Sequence, residues 1–212
     1  MSVIAKKEST NRDMKLDPKF LVVSIGNPLP KYESLHSAGH FALNGLAKVL
    51  RHPPFRETSI GGQQYCVSQG PKYTLVQSPT LMNVSGSFVS RVWKQMHKQH
   101  DAASLSLVVV HDELEKGLGV VNLVSWERSP RGHNGMKSVK NSISQKAYPV
   151  SPLARIAIGI GRPAERDPES VARYVLAQIP SASRNILENE ATFGVVKRLA
   201  ELEDEWRKEV EP

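Results

Sequence analysis

Short β-branched runs alternate along this chain with longer segments whose apolar residues recur every three or four positions, and few architectures accommodate that alternation. Phe20, Leu21, Val22, Val23 and Ile25 form the first run, closed by Gly26-Asn27-Pro28, which predicts a buried strand entering a turn. From Ser37, Phe41, Leu43, Leu46, Ala47, Val49 and Leu50 recur with helical spacing until His52-Pro53-Pro54 stops them. Residues 65–67 and 73–76 predict a hairpin punctuated by Gly70-Pro71. A helix follows over 85–100, with Phe88, Val92 and Met96 on one face, and then the most hydrophobic run, 105–110, which predicts a strand central in a sheet. A strand at 119–124, a helix at 134–144, a strand at 155–160 and a helix at 169–178 complete the alternation. The last segment, 181–208, predicts one long helix with Leu187, Ala191, Val195, Leu199, Leu202 and Trp206 along a stripe. The expected fold is a single α/β domain over 20–212: a twisted mixed β-sheet flanked by helices, ending in a long C-terminal helix. A disordered N-terminal extension is expected over 1–19.

Composition narrows the partners. At 212 residues, 40% apolar and 23% charged, the chain has the make-up of a globular domain. It contains no run of about 18 uncharged apolar residues, so no membrane-spanning helix is expected. Cys66 is the only cysteine, which excludes an intrachain disulfide and a CxxC metal site and fits a reducing compartment. Lys and Arg number 28 against 21 Asp and Glu, and the resulting +7 points to a polyanionic partner, nucleic acid first. Residues 1–19 mix Lys6, Lys7, Glu8, Arg12, Asp13 and Lys15 with no apolar segment. That pattern excludes a secretory signal and is too acidic for an ordinary mitochondrial presequence. A cytoplasmic location is expected, with the mitochondrion left open.

In open α/β sheets ligands bind beyond the carboxyl ends of the strands, so the polar residues after each strand matter most. Here they are Asn27, with His36 just beyond; Met82-Asn83-Val84-Ser85-Gly86; His111-Asp112-Glu113-Leu114; and Gly132-His133-Asn134-Gly135. Each has an ordinary reading taken singly: Asn27 as a turn residue, Asn83 and Asn134 as helix N-caps, Asp112 as a solvated rim. Together they supply an imidazole that a carboxylate can orient, and neutral amides able to hold an uncharged polar chain and a developing oxyanion. There is no GxSxG elbow, no GxxxxGK[ST] loop and no HExxH spacing. Hydrolysis by activated water, with no metal and no cofactor, is the simplest chemistry these residues offer.

Gly26-Asn27-Pro28 with Tyr32 and His36-Ser37-Ala38-Gly39, then Pro79-Thr80-Leu81-Met82-Asn83-Val84-Ser85-Gly86, His111-Asp112-Glu113-Leu114, Gly132-His133-Asn134-Gly135 and Gly159-Ile160-Gly161-Arg162-Pro163 occur in the order typical of one family. The chain resembles the bacterial-type peptidyl-tRNA hydrolases, which also occur in mitochondria and fungi. The resemblance implies a phosphorylase/hydrolase-like fold, peptidyl-tRNA as substrate and cleavage of the ester between peptide and tRNA; the small site and its neutral asparagines suggest a monomer. The resemblance also implies roles: His36 as general base on water, Asp112 as its orienting carboxylate, Asn27 and Asn83 on the peptide and the attacked carbonyl, and Met82 packed beside them. Asn134 would position water or the oxyanion, and Tyr32 would line the site.

Several positions depart from the family pattern. Ser34-Leu35 stands where a Thr-Arg pair is usual, and 125–131 replaces a glycine-rich segment. Asn122, Val124 and Ala157 stand where the family carries basic residues associated with gripping a tRNA phosphate. Arg91, Lys94 and Lys98 on one helix face, with Arg128, Arg131, Lys137 and Lys140 around the GHNG segment, could bind phosphates without regard to sequence. The missing basic positions leave a second reading beside the enzyme: a catalytically weak RNA-binding or splicing-associated relative of the same fold.

Overall fold

The computed structural model describes residues 16–210. Its centre is a seven-stranded sheet built from β1 (Lys19–Ser24), β2 (Arg56–Ile60), β3 (Gln63–Gln69), β4 (Tyr73–Gln77), β5 (Leu105–Glu113), β6 (Val121–Ser125) and β7 (Leu153–Gly159), in the order β2-β3-β4-β1-β5-β7-β6. β1 runs parallel to β4 and β5, and β5 parallel to β7. The β2–β3, β3–β4 and β6–β7 pairs are antiparallel. The sheet is mixed, as the alternation predicts. β1 holds its middle and β5 lies next to it, buried along nearly its whole length. Burial on both faces explains why these parallel strands read as continuous aliphatic runs.

Helices cover both faces. α1 (Ala38–Val49) and α6 (Ala191–Val210) enclose one core with Phe20, Val22, Val108, Val110, Ile156 and Ile158. α2 (Ser85–His97) and α3 (Asn134–Ser142) enclose the other with Leu21, Val23, Leu107, Val109 and Trp126. α4 (Pro168–Leu176) follows β7, with Pro168 at its start and the Asp167 carboxylate accepting from the Ser170 N–H at 2.9 Å. Among the described residues, no helix is long and apolar enough to cross a membrane.

The C-terminal helix is not uniform. α5 (Ser181–Asn185) passes through a π-helical turn, Ile186–Glu190, before α6 begins. α1 meets this turn at Gly45, where a Cβ would overlap the Glu188 carbonyl oxygen and the Thr192 hydroxyl. Gly45→Ala should therefore destabilise the fold by about 1–3 kcal/mol, read as a lower urea midpoint with an unchanged m-value.

The N-terminal boundary also shifts. Leu16 is buried in the first core, its carbonyl accepts from Arg207 Nη1 at 3.0 Å, and β1 starts at Lys19. The last four residues of the expected extension thus belong to the fold. Its residues 1–15 lie outside the described residues.

Candidate active site

Because β1, β4, β5 and β7 run the same way, the segments that follow them gather on one rim. β5 ends in His111-Asp112-Glu113, a short 3-10 turn (Leu35–Ser37) carries His36, a second (Met82–Val84) carries Met82 and Asn83, and α3 opens at Asn134. Asn27, His36, Met82, Asn83, Asp112 and Asn134 all line one groove of about 930 Å³.

The groove's chemistry centres on Asp112, which is 2% exposed. His36 Nδ1 lies 2.9 Å and His133 Nε2 3.0 Å from the same oxygen, Asp112 Oδ1. His133 is the N-cap of α3, and its Nδ1 accepts from the Met136 N–H at 3.2 Å. That bond fixes the tautomer: Nε2 must carry the hydrogen and donate to Asp112. His36 likewise donates from Nδ1, which leaves Nε2 as its basic nitrogen. Burial alone would raise the Asp112 pKa, but the charges and hydrogen bonds of His36 and His133 outweigh it and hold the carboxyl far below the usual range. Burial likewise works against a charged His36, yet the Asp112 charge and hydrogen bond prevail and its pKa is raised above 6.5.

Ligand atoms of His36, Asp112 and His133, one from each, lie within 4.8 Å of one another, a spacing that would suit a metal ion. Their hydrogen bonding argues otherwise. A metal at His133 Nε2 would need Nδ1 to carry the proton, and Nδ1 faces the Met136 N–H. The cluster is built as a proton-bearing dyad with a second donor.

Asn27 is buried, and its Oδ1 accepts from the Met82 N–H at 3.1 Å while its own N–H donates to Ser37 Oγ at 3.2 Å. The carbonyl oxygen is thus committed to tying two site loops together, and the amide NH2 remains as a donor for the groove. The side chains of Asn83 and Asn134 are exposed and make no hydrogen bond among the described residues. Neither is an N-cap: Val84 and His133 hold those positions. α3 approaches Met82 closely only because Gly135 lacks a Cβ, which would strike the Met82 sulfur.

The family model for peptidyl-tRNA hydrolase matches residues 21–210. The chain belongs to the peptidyl-tRNA hydrolase family. A peptidyl-tRNA hydrolase of Saccharomyces cerevisiae is 34% identical over 170 residues, spanning 76% of this chain and 84% of that protein. Another, from Kineococcus radiotolerans, is 35% identical over 174 residues, spanning 78% and 81%. The crystal structure of peptidyl-tRNA hydrolase from Acinetobacter baumannii superposes with a TM-score of 0.65 at 24% identity, over 87% of this chain and 88% of that one, which supports the fold.

Not every residue expected at the site lines this groove. Tyr32 is not among the residues lining the groove; its ring stacks on His40 at 5.5 Å and its hydroxyl accepts from Asn44 Nδ2 at 3.2 Å. Arg91 turns to the β2–β3 hairpin, where Nη1 donates to the Ile60 carbonyl at 3.3 Å. Lys94, Lys98 and Lys137 are exposed and outside the groove, while Arg128 and Arg131 line it. Lys140 Nζ donates to the carbonyls of Glu127 and Arg128, both at 3.1 Å. Arg155, 2% exposed, reaches the same loop from below, donating to Ser125 O at 3.1 Å and Arg128 O at 2.7 Å. Cations gripping backbone carbonyls thus hold the 125–131 loop that replaces the family's glycine-rich segment. The loop ends in Arg131 and Gly132, both at positive φ (45° and 87°), which swings His133 onto Asp112.

Sequence reasoning missed His133, although it lies in the GHNG motif. A histidine at a helix N-cap, one residue past a glycine, was the available signal. Lys31, Lys116, Arg162 and Arg166, which also line the groove, were missed as well, because they are scattered along the chain.

Proposed function

We infer that this peptidyl-tRNA hydrolase uses His36 as general base and Asp112 as the charge that orients and stabilises it. The observation that carries the reading is the 2.9 Å contact between His36 Nδ1 and the buried Asp112 Oδ1. His36 Nε2 takes a proton from water, and the water oxygen bonds to the ester carbonyl carbon. Negative charge then develops on the former carbonyl oxygen, and the amides of Asn27, Asn83 and Asn134 supply its donors in this reading. The intermediate collapses by breaking the bond to the ribose oxygen. That oxygen takes the proton from the His36 imidazolium, releasing free peptide and tRNA. No metal or cofactor enters any step, and each role needs only one chain.

The alternative of a catalytically weak RNA-binding relative lacks support: the matched relatives are hydrolases, and His36 and Asp112 meet in the structure. A cytoplasmic setting suits the reading, since a lone free cysteine fits a reducing interior.

The reading assigns the tRNA backbone to the groove wall with Arg128 and Arg131. Replacing both by alanine should weaken tRNA binding and flatten the dependence of log affinity on log salt by roughly two units, about one per lost phosphate contact. The loss should fall on whole peptidyl-tRNA and spare a minimal peptidyl-nucleoside ester. Turnover of both substrates over a salt series checks this. An unchanged slope would remove these arginines from the interface, and equal losses on both substrates would place them in the chemistry.

A further inference from the structure

Where the family carries basic residues, β6 and β7 of this chain present Asn122 and Ala157. The register places them in a row: His111 on β5 pairs with Ala157 on β7, which pairs with Asn122 on β6. Paired residues share a sheet face, so a small methyl group lies between two longer polar side chains, whose backbones stand two strand spacings, roughly 10 Å, apart. All three line the groove.

Each flanking side chain has a buried atom without a partner in the protein, His111 Nε2 and Asn122 Nδ2. Their chemistry differs. His111 Nδ1 lies 2.7 Å from the Asp112 carbonyl oxygen, which can only accept, so Nδ1 carries the hydrogen and Nε2 offers a lone pair. Burial pushes the His111 pKa down to about 3, so the ring is neutral at working pH. Asn122 Nδ2 offers N–H donors. Buried polar atoms are rarely left unpaired in folded proteins, so an unpaired acceptor and donor on either side of one alanine call for a group that can satisfy both.

A phosphate offers acceptors alone and would set its charge against the His111 lone pair. An ammonium offers donors alone. A hydroxyl donates and accepts at once. Arg155, two residues before Ala157 on the same face of β7, is occupied by the carbonyls of Ser125 and Arg128.

We propose that the His111–Ala157–Asn122 floor of the groove is a hydroxyl subsite that takes the free 2′-hydroxyl of the tRNA terminal ribose. The hydroxyl donates to His111 Nε2 and accepts from Asn122 Nδ2. The assignment rests on the reading that this groove cleaves peptidyl-tRNA, where the 3′ oxygen is esterified and the 2′ oxygen is the neighbouring free hydroxyl. In this chain, uncharged recognition of the sugar stands at the positions where relatives place charge.

The test compares a 3′-O-peptidyl-adenosine with its 2′-deoxy counterpart, using the full chain. In the unmodified protein the ratio of kcat/KM for the two esters should exceed the ratio in Asn122→Leu by about tenfold, the effect of one lost hydrogen bond. Ala157→Val keeps both polar groups but fills the space between them, and should collapse the ratio to the same value. A third arm needs no variant: adenosine should inhibit more strongly than 2′-deoxyadenosine. Unchanged ratios in both variants, or equal inhibition by the two nucleosides, would overturn the proposal and leave a bound water only. If the unmodified protein cleaved neither ester nor peptidyl-tRNA, the hydrolase reading itself would fall, a different result from loss of sugar discrimination.

Discussion

His36→Ala is expected to lower turnover of peptidyl-tRNA by about 10² to 10⁴ while leaving the fold intact. The side chain is 18% exposed, and its hydrogen bond is to Asp112, which keeps the His133 donor when His36 is removed. The variant should therefore fold, with its buried carboxylate still paired. The effect on stability has a defined sign. The folded pKa of His36 is raised above 6.5, so the ion pair stabilises the fold below 6.5 and that contribution is lost as pH rises through the folded value. Thermal melts of variant and parent should converge at alkaline pH, with the parent ahead in mild acid. Single-turnover assays alongside those melts check both halves. A variant that keeps more than about half of parental turnover would remove His36 from the role of base.

That prediction could be framed from the chain alone, because the family resemblance carried by the strand-end motifs implies the His36–Asp112 pair before any geometry is known. Legibility followed burial. β1, β5 and β7 are enclosed on both faces and read as unbroken aliphatic runs, whereas edge strand β2, Arg-Glu-Thr-Ser-Ile, is largely solvated and shows no apolar pattern. The π-helical turn at Ile186–Glu190 was hidden because the apolar stripe continues through it, and the helix it meets closely, at Gly45, lies far away in the sequence. Helical spacing put Arg91 and Lys140 on faces, but long flexible side chains are claimed by whichever carbonyls lie nearby, here those of Ile60, Glu127 and Arg128. His133 escaped for a related reason. Its role depends on backbone at positive φ in Arg131 and Gly132, a conformation that the sequence allowed without demanding.

Asp112→Asn separates charge from geometry at the same site. His36 and His133 converge on one oxygen, Oδ1, and an asparagine keeps an oxygen that can accept from both. The tautomers and ring positions should survive, so what the substitution removes is the negative charge beside the developing imidazolium. Turnover should fall by roughly 10² or more with little change in KM, since the charge acts in the transition state rather than in binding. The pH profile carries a second signature. In the parent, the Asp112 charge overcomes the burial that works against a protonated His36, so activity is lost to protonation at a pH above the ordinary imidazole value. With the charge gone, burial acts unopposed and the acid limb of kcat/KM should move to lower pH. Stability should change in the matching direction. The depressed Asp112 pKa contributes stability above 3.8 that is lost as pH falls, so the variant should be less stable near pH 7, with the gap narrowing in acid. A rise in KM alone would make Asp112 a binding residue. An acid limb that stays in place while turnover falls would mean that the carboxylate orients His36 without setting its proton affinity, and the charge would then have to act on the substrate directly.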